Sequence, residues 1–478
     1  MKTKILSAIL LFPALLFGTA KAENIDLQTA KQIGAYYFTV STGAKAPLTA
    51  DNLKLAIQYD NPTLCVPAMY AFNVANGGFV IVSASDCTDP IMAYSPVGEF
   101  DPENINPACQ YMLDSYVALI SENQNQEATP TAEAKRQWDE LRNQTFTCDP
   151  SSKAVLVQSK WNQVAPYNLW CPVKNGVICP AGCVATAMGQ IIHFWKYPEV
   201  GGGDEGSTVS FSWNGQTIRY KFAVDSNKFE FENMPNSLTY NSSYTQKRAI
   251  GKLLFACGVT VNMGWDAEGS GALSQDVPNA FSRWFRYSPT VRYIQRKGRT
   301  DAEWLSILHS EIDDHARPVY YSARDPRGTG RDAAGHAFVI AGSSASNQNK
   351  FYIRWGWGGE SDGFYTLAPM NSIETSGGYR FSSDHGMVYN IFPNNLGIDD
   401  NTTYTEAPCY PNPASDYLMI PSDLPLNATL TVYAVDGKMV DKRIIPGGTK
   451  EYRLDLQSYA PGTYIYRLNG DAVKFTVR

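Results

Sequence analysis

The stretch CPAGCVATAMGQIIHFWKYP, residues 179–198, predicts a helix that begins near Gly182 and has one apolar face. That face repeats at the spacing of a helix packed on a core: Val184, Ala187, Met188, Ile191, Ile192 and Trp195. Cys183 falls in the first turn, where unpaired N–H groups and the helix dipole stabilise a thiolate. Gly182 has no side chain to obstruct a substrate carbonyl. From this stretch alone, Cys183 is a nucleophile, half of a disulfide, or a buried structural thiol.

A nucleophilic thiolate needs a base, and the chain has five histidines. His193 lies on the predicted helix itself, about 15 Å along its axis from Cys183, which is too far to pair. Three others lie in a predicted surface helix or an uninformative context: His309, His315 and His385. His336 follows a Gly-rich loop and begins the apolar strand HAFVIAG, where it could face a cleft. A core histidine without a catalytic role is the alternative.

Two further stretches offer supporting groups. FYIRWGWGGESDGFYTL, residues 351–367, predicts a rigid aromatic turn that could shield an imidazole from water. WNQVAPYN, residues 161–168, contains Gln163. Its amide could donate to a developing oxyanion together with the Cys183 N–H, although a lone Gln is more often a surface residue.

Six stretches taken together resemble the streptopain family of papain-like cysteine peptidases: WNQVAPYN, AGCVATAMGQIIHFWKYP, VNMGWDAEGSGA, RPVYYSA, GHAFVIAG and RWGWGGESDGFY. They occur in the family's order between residues 161 and 366. The separation of Cys183 from His336 is close to the ~130–150 residues of papain-type sites. The resemblance implies an α+β fold with a papain-like catalytic domain. It implies neither a cofactor nor a metal, and the sequence offers no convincing metal-ligand cluster.

The resemblance also implies roles for individual residues. Cys183 would be the nucleophile, His336 the general base and then acid, and Gln163 the oxyanion donor. Trp355 would pack against His336, where papain has an orienting Asn. The substrate cleft would be lined by Gly335 and by Ser270 or Gly271, since the register of that motif is open. Family members often carry Asn just before this Trp, whereas this chain has Arg354, so the orientation of His336 is open.

The N-terminal third predicts an export signal and a separate domain. MKTK, the apolar run ILSAILLFPALLFG and Ala20-Lys21-Ala22 are typical of a secretory signal over residues 1–22. Residues 23–153 resemble the family's α+β inhibitory pro-domain. They predict a helix in IDLQTAKQIGAYYF, a hairpin around Asn76-Gly77-Gly78, and an exposed helix or linker in ENQNQEATPTAEAKRQWDELRNQ. The peptidase domain would cover residues 154–393, with the mature chain starting near Lys153-Ala154.

The C-terminal part predicts a different architecture. Residues 394–408 are polar and predict a linker, and residues 409–478 contain short strand-like runs between Gly-containing turns, which favours a small β-sandwich. YPNP, GTYIY and KFTVR resemble the C-terminal sorting domain of the type IX secretion system of Bacteroidetes. The resemblance implies that this secretion machinery is a partner and that the protein reaches the cell surface or the medium. A plain binding module is the alternative.

Composition narrows the function further. The chain has 478 residues, enough for two to four domains, and a net charge of −6 without a basic block, which argues against a nucleic-acid partner. Nine cysteines leave at least one unpaired, and CPVKNGVIC predicts a local Cys171–Cys179 disulfide. We predict a secreted cysteine endopeptidase, made as a zymogen that its own pro-domain inhibits, acting on protein substrates. The alternatives are a catalytically impaired adhesin, suggested by Arg354, and an amidase or transglutaminase with the same Cys/His pair.

Overall fold

The computed structural model describes residues 22–202, 208–222, 228–324, 335–367, 385–394, 409–434, 439–469 and 471–478. The predicted signal peptide, except for Ala22, and the predicted linker, except for Asn394, lie outside these ranges. None of the helices in the described ranges is long and apolar enough to span a membrane.

The N-terminal region is a four-stranded meander with three helices. The helices are α1 (Leu27–Thr42), α2 (Pro107–Asn125) and α3 (Ala132–Arg142), and the strands are β1 (Leu53–Asp60), β2 (Pro67–Val74), β3 (Phe79–Ser83) and β4 (Ile91–Ser95). Asp26 begins α1 by accepting the N–H groups of Gln28 and Thr29, and Gly43 ends it in a left-handed conformation. The predicted helix and the predicted hairpin at residues 76–78 are both confirmed.

The polar run at residues 122–144, predicted as an exposed helix or a linker, is helical over most of its length. It contains the end of α2 and the whole of α3, which buries Ala134, Trp138 and Leu141 against the core beneath α1. These three residues share one helical face, and the many charged residues on the other faces conceal that pattern in the sequence.

The middle region holds the larger share of the elements. Its helices are α4 (Cys183–Trp195), α5 (Tyr244–Thr260), α6 (Val277–Asn279) and α7 (Asp301–His309). Its strands are β5 (Val173–Lys174), β6 (Val177–Ile178), β7 (Thr208–Trp213), β8 (Gln216–Lys221), β9 (Arg292–Gln295), β10 (Val319–Arg324), β11 (Gly335–Ser343), β12 (Lys350–Arg354), β13 (Gly363–Thr366) and β14 (His385–Tyr389). The predicted helix at Cys183 is confirmed, and all six residues of its predicted apolar face are buried.

One antiparallel sheet of ten strands joins the two regions, in the order β1-β2-β3-β4-β13-β12-β11-β10-β14-β9. The join is the β4–β13 pair, where Ala93 lies opposite Tyr365 and Tyr94 opposite Phe364. Helices α2 and α7 pack on one face of the sheet, and α1, α3, α4 and α5 pack on the other. The sheet therefore places the N-terminal region directly beside the strands that carry the site.

The C-terminal region consists of strands β15 (Tyr417–Pro421), β16 (Ala428–Ala434), β17 (Met439–Ile445), β18 (Glu451–Asp455), β19 (Gly462–Leu468) and β20 (Asp471–Val477). They form a two-stranded sheet, β15-β18, and a four-stranded sheet, β17-β16-β19-β20. Both sheets contribute to one buried apolar cluster, as a small sandwich requires.

All nine cysteines are free thiols in this structure, so the expected Cys171–Cys179 disulfide is not formed in it. The loop between these two residues is the β5–β6 hairpin, and the Cys179 N–H donates to the Pro172 carbonyl at 2.9 Å.

Candidate active site

The site is built around the start of α4. Gly182 precedes Cys183 with φ 86°, and a Cβ at this position would lie 2.8 Å from the Ser270 carbonyl oxygen and 2.9 Å from Met263 Cε. Only glycine fits there without strain. Within the described residues no side chain caps α4, so its first N–H groups stay available. Those of Cys183 and Val184 are close enough to the partly exposed Cys183 thiol to lower its pKa.

The fold brings His336 to the neighbouring element. Helix α4 packs on β11, and the Ala337 N–H of that strand is also close enough to the Cys183 thiol to lower its pKa. His336 is the preceding residue of β11, yet its Nε2 lies 3.1 Å from the Trp355 carbonyl oxygen. In the described part of the chain, no hydrogen bond joins the Cys183 sulfur to the imidazole. The two groups thus share a site without forming a pair.

Two tryptophans hold His336 in different ways. The Trp357 ring lies over the imidazole, with centroids 4.4 Å apart. The Trp355 indole, which the resemblance places against His336, instead packs between Phe338 and Tyr365 at 4.9 and 5.2 Å. Trp355 therefore contributes its carbonyl and Trp357 its ring. Sequence reasoning included Trp357 in the aromatic turn that could shield an imidazole, but it assigned the contact with His336 to Trp355 alone.

Burial shifts the pKa of both reactive groups towards their neutral forms. Burial lowers the pKa of His336 to about 4, against the opposing effect of the Trp355 carbonyl. Because a carbonyl can only accept, Nε2 must carry the proton of a neutral ring. Burial raises the pKa of the Cys183 thiol and outweighs the three backbone N–H groups that lower it. The thiolate expected from the helix terminus is not favoured, because the sulfur is desolvated and has no imidazolium beside it.

This pKa shift predicts slow alkylation of Cys183 in the intact precursor. Since only the thiolate reacts, the rate with iodoacetamide should rise about tenfold per pH unit from pH 6 towards the raised pKa. Peptide mass spectrometry after short pulses measures the rate, with the exposed Cys65 as a reference in the same sample. Fast, pH-independent labelling of Cys183 between pH 5 and 7 would show that a thiolate–imidazolium pair already exists.

Gln163 lies beside the same helix terminus. Its carbonyl accepts the Ala181 N–H at 2.7 Å, and its own N–H donates to Asn162 Oδ1 at 2.7 Å. Its Nε2 atom is buried and has no hydrogen-bond partner among the described residues. An unpartnered buried donor is costly, so a group that accepts from it is expected in the working enzyme.

The four residues predicted for the substrate cleft lie near Cys183 or His336. The Ser270 carbonyl approaches Gly182, and the Ser270 Oγ atom is buried without a partner among the described residues. Gly271 is exposed and closes its loop by pairing with Gly264. Gly335 is exposed at the first position of β11, next to His336.

Arg354, where the chain departs from the family, is fully buried and paired. Its Nη1 lies 2.9 Å from Asp362 Oδ2, and its Nε donates to the Val157 carbonyl at 2.9 Å. Asp362 Oδ1 accepts the Trp355 N–H at 2.9 Å. Arg354 and Asp362 thus fix the residue whose carbonyl holds His336.

The remaining histidines have partners elsewhere. His193 Nε2 bonds the Met234 carbonyl at 2.8 Å, and His309 Nδ1 bonds Asp313 at 2.7 Å. His385 is buried on β14, next to Tyr321. Across the described ranges, no cluster of three or more His, Cys, Asp or Glu residues could hold a metal ion.

Sequence reasoning also missed Tyr320 on β10. Its buried hydroxyl is close enough to Cys183 for the thiolate charge to raise the pKa of this phenol, although burial is the larger cause. The hydroxyl bonds Ser274 Oγ at 2.8 Å. The stretch RPVYYSA contained this residue but gave no signal for its distance from Cys183.

Three family models match the chain. The Peptidase C10 family matches residues 161–365, the Spi protease inhibitor matches residues 22–120, and the secretion system C-terminal sorting domain matches residues 408–478. The first match contains Gln163, Cys183, His336 and Trp355.

Relatives agree with these matches. Streptopain from Streptococcus pyogenes is 32% identical over 360 residues, which cover 71% of this chain and 83% of streptopain. The thiol protease/hemagglutinin PrtT from Porphyromonas gingivalis is 27% identical over 461 residues, covering 92% of this chain and 50% of PrtT. The structure of a prointerpain A fragment from Prevotella intermedia matches with a TM-score of 0.56 at 25% identity, covering 71% of this chain and 98% of the fragment. The chain is therefore a secreted cysteine protease precursor with an inhibitory pro-domain and a sorting domain, and it belongs to the Peptidase C10 family.

Proposed function

We propose that Cys183 and His336 are the catalytic pair of this endopeptidase and that Gln163 provides the side-chain donor of its oxyanion hole. The main support is that the candidate groups lie on neighbouring elements of the fold. The Cys183 thiol lies at the start of α4, which packs on the strand that carries His336. The Gln163 carbonyl accepts the Ala181 N–H just before Gly182, and the buried Gln163 Nε2 has no hydrogen-bond partner among the described residues. Trp355 and Trp357 act as positioning residues for the imidazole.

The reaction requires Nδ1 of His336 to face the sulfur, and the bond from Nε2–H to the Trp355 carbonyl leaves Nδ1 as the unprotonated nitrogen that can act as the base. The thiol proton then passes to the imidazole, and the thiolate attacks the scissile carbonyl carbon. The oxyanion accepts hydrogen bonds from Gln163 Nε2 and the Cys183 N–H. Imidazolium His336 protonates the leaving amine as the C–N bond breaks. Water, deprotonated by the same imidazole, hydrolyses the thioester and restores the thiol.

The substrate would lie extended across Gly182, Ser270, Gly271 and Gly335. Gly271 leaves open space on the loop at residues 264–271, because a Cβ there would meet nothing within 4 Å, and Gly335 is exposed at the first position of β11. A bulky hydrophobic residue two positions before the cut is the preferred side chain in this proposal.

The inhibitory pro-domain holds the segment that supports Trp355. Tyr116 of α2 donates to the Thr366 carbonyl at 2.7 Å, and the Cys109 sulfur lies 3.3 Å from the Tyr365 hydroxyl. Tyr365 packs on Trp355, whose carbonyl holds His336. Removal of the pro-domain would loosen this segment and let the imidazole move closer to the thiol. The sorting domain would engage the type IX secretion machinery.

The oxyanion role of Gln163 predicts a kinetic effect. Gln163→Ala in the mature enzyme should lower kcat by about 10²–10³, with little change in KM, because the amide donates mainly to the charged intermediate. Steady-state hydrolysis of a fluorogenic peptide measures both constants. Gln216→Ala, on the exposed β7–β8 hairpin, is the matched control and should retain full activity. An equal fall in kcat for both variants, or a rise in KM alone for Gln163→Ala, would contradict the oxyanion role of Gln163.

A further inference from the structure

The C-terminal domain touches the segment that connects the pro-domain to the peptidase domain. The Asn427 side chain donates through Nδ2 to the carbonyls of Pro150 and Lys153, at 2.6 and 2.8 Å. The Asn427 carbonyl accepts the Val155 N–H at 2.8 Å. One residue of the C-terminal domain therefore spans both ends of a short turn.

Packing shows that this turn is the junction between the two domains. Phe146 still belongs to the pro-domain, because its ring stacks on Tyr37 and its carbonyl accepts the Tyr36 hydroxyl. Val155 and Val157 belong to the peptidase core that contains α4 and α5. A cut that separates the pro-domain from the peptidase domain without disrupting the packing of either core must fall within residues 147–154.

The junction is exposed in part but is not extended. Residues Pro150–Ser152 form a 3₁₀ turn capped by Asp149, and Ser151 and Ser152 are exposed. A protease binds its substrate as an extended segment whose backbone groups it pairs with. Cleavage therefore requires this turn to open, and opening breaks the bonds to Asn427.

Other contacts also hold the C-terminal domain beside this junction. The Lys442 ammonium bonds the Asp313 carbonyl, while the Asp313 carboxylate pairs with Lys153 at 2.8 Å. Leu426 is buried in the peptidase core cluster. The contact thus combines apolar burial with hydrogen bonds on both sides of the junction.

We propose that the C-terminal domain protects the junction between the pro-domain and the peptidase domain from proteolysis. Displacement of the C-terminal domain would then expose residues 147–154 to cleavage. The pro-domain is then removed only after the sorting domain has dissociated from the junction and the peptidase domain. This order links activation to export. The proposal depends on pro-domain removal being the activating step, but not on the role of Cys183.

The test uses the full chain with Cys183→Ala, so that no self-cleavage interferes, and trypsin as the probe. Trypsin cuts after Lys153, and mass spectrometry follows the fragment that begins at Ala154. Asn427→Asp keeps the acceptor that Gly447 N–H uses but loses both donors to the junction. Asn412→Asp is the matched control, because Asn412 donates to Lys474 and accepts from Thr476 within its own domain.

Asn427→Asp should accelerate the cut at Lys153 by about tenfold, and Asn412→Asp should leave the rate unchanged. Equal rates in the two variants would overturn the proposal. If Asn427→Asp also speeds cuts inside the C-terminal domain, the substitution has destabilised that domain, and a second variant is needed. Lys442→Met serves this purpose, since it removes only the bond to Asp313. Faster cutting at Lys153 in the Lys442→Met variant supports protection of the junction by the C-terminal domain, and an unchanged rate rejects it.

Discussion

The Cys183→Ala precursor is expected to release no new peptide ends from a protein substrate and to keep its own pro-domain. Loss of the sulfur removes the atom that forms the acyl-enzyme, so the rate should fall by more than about 10⁴-fold. Labelling of new N-termini measures hydrolysis, and gel mobility measures self-processing. Cys65→Ala is the control, because Cys65 is an exposed cysteine of the pro-domain.

The same assay separates the alternatives. Ammonia release by the unmodified protein without new peptide ends would indicate an amidase or transglutaminase. Failure of the matured protein to react with an epoxide thiol-protease inhibitor at Cys183 would indicate an impaired scaffold that binds rather than cuts. Hydrolysis that persists in purified Cys183→Ala would exclude Cys183 as the nucleophile.

The second large effect concerns the stability of the protein. Arg354→Ala should lower the free energy of unfolding of the peptidase domain by about 3–5 kcal/mol, because it leaves the buried Asp362 carboxylate without its cation. Urea unfolding followed by tryptophan fluorescence measures this change. Arg136→Ala removes an exposed arginine that pairs with Glu133 and Glu140, and it should cost no more than about 1 kcal/mol.

A double variant tests the cause. Arg354→Ala with Asp362→Ala leaves no unpaired buried charge, so it should be more stable than Arg354→Ala alone. If the double variant is as unstable as the sum of the two single variants, the lost packing of the arginine rather than the unpaired carboxylate accounts for the effect.

Local sequence predicted much of the site's scaffold. The start of α4 at Cys183 and its buried face follow from glycine and from the spacing of apolar residues, which depend on neighbours along one helix. The hairpin at residues 76–78 was predictable for the same reason. Helix α3 was predicted only as a helix or linker, because its burial depends on three residues that meet α1.

The sequence by itself determined which reactive residues the chain carries and the local elements on which they lie, because helix and turn preferences act over a few residues. The tertiary structure decided that His336 bonds the Trp355 carbonyl, that Trp357 supplies the covering ring, and that Arg354 is neutralised by Asp362. It also decided that Asn427 meets residues 150–155. These contacts join separate parts of the chain, and their formation depends on the packing of whole sheets and domains rather than on any local pattern.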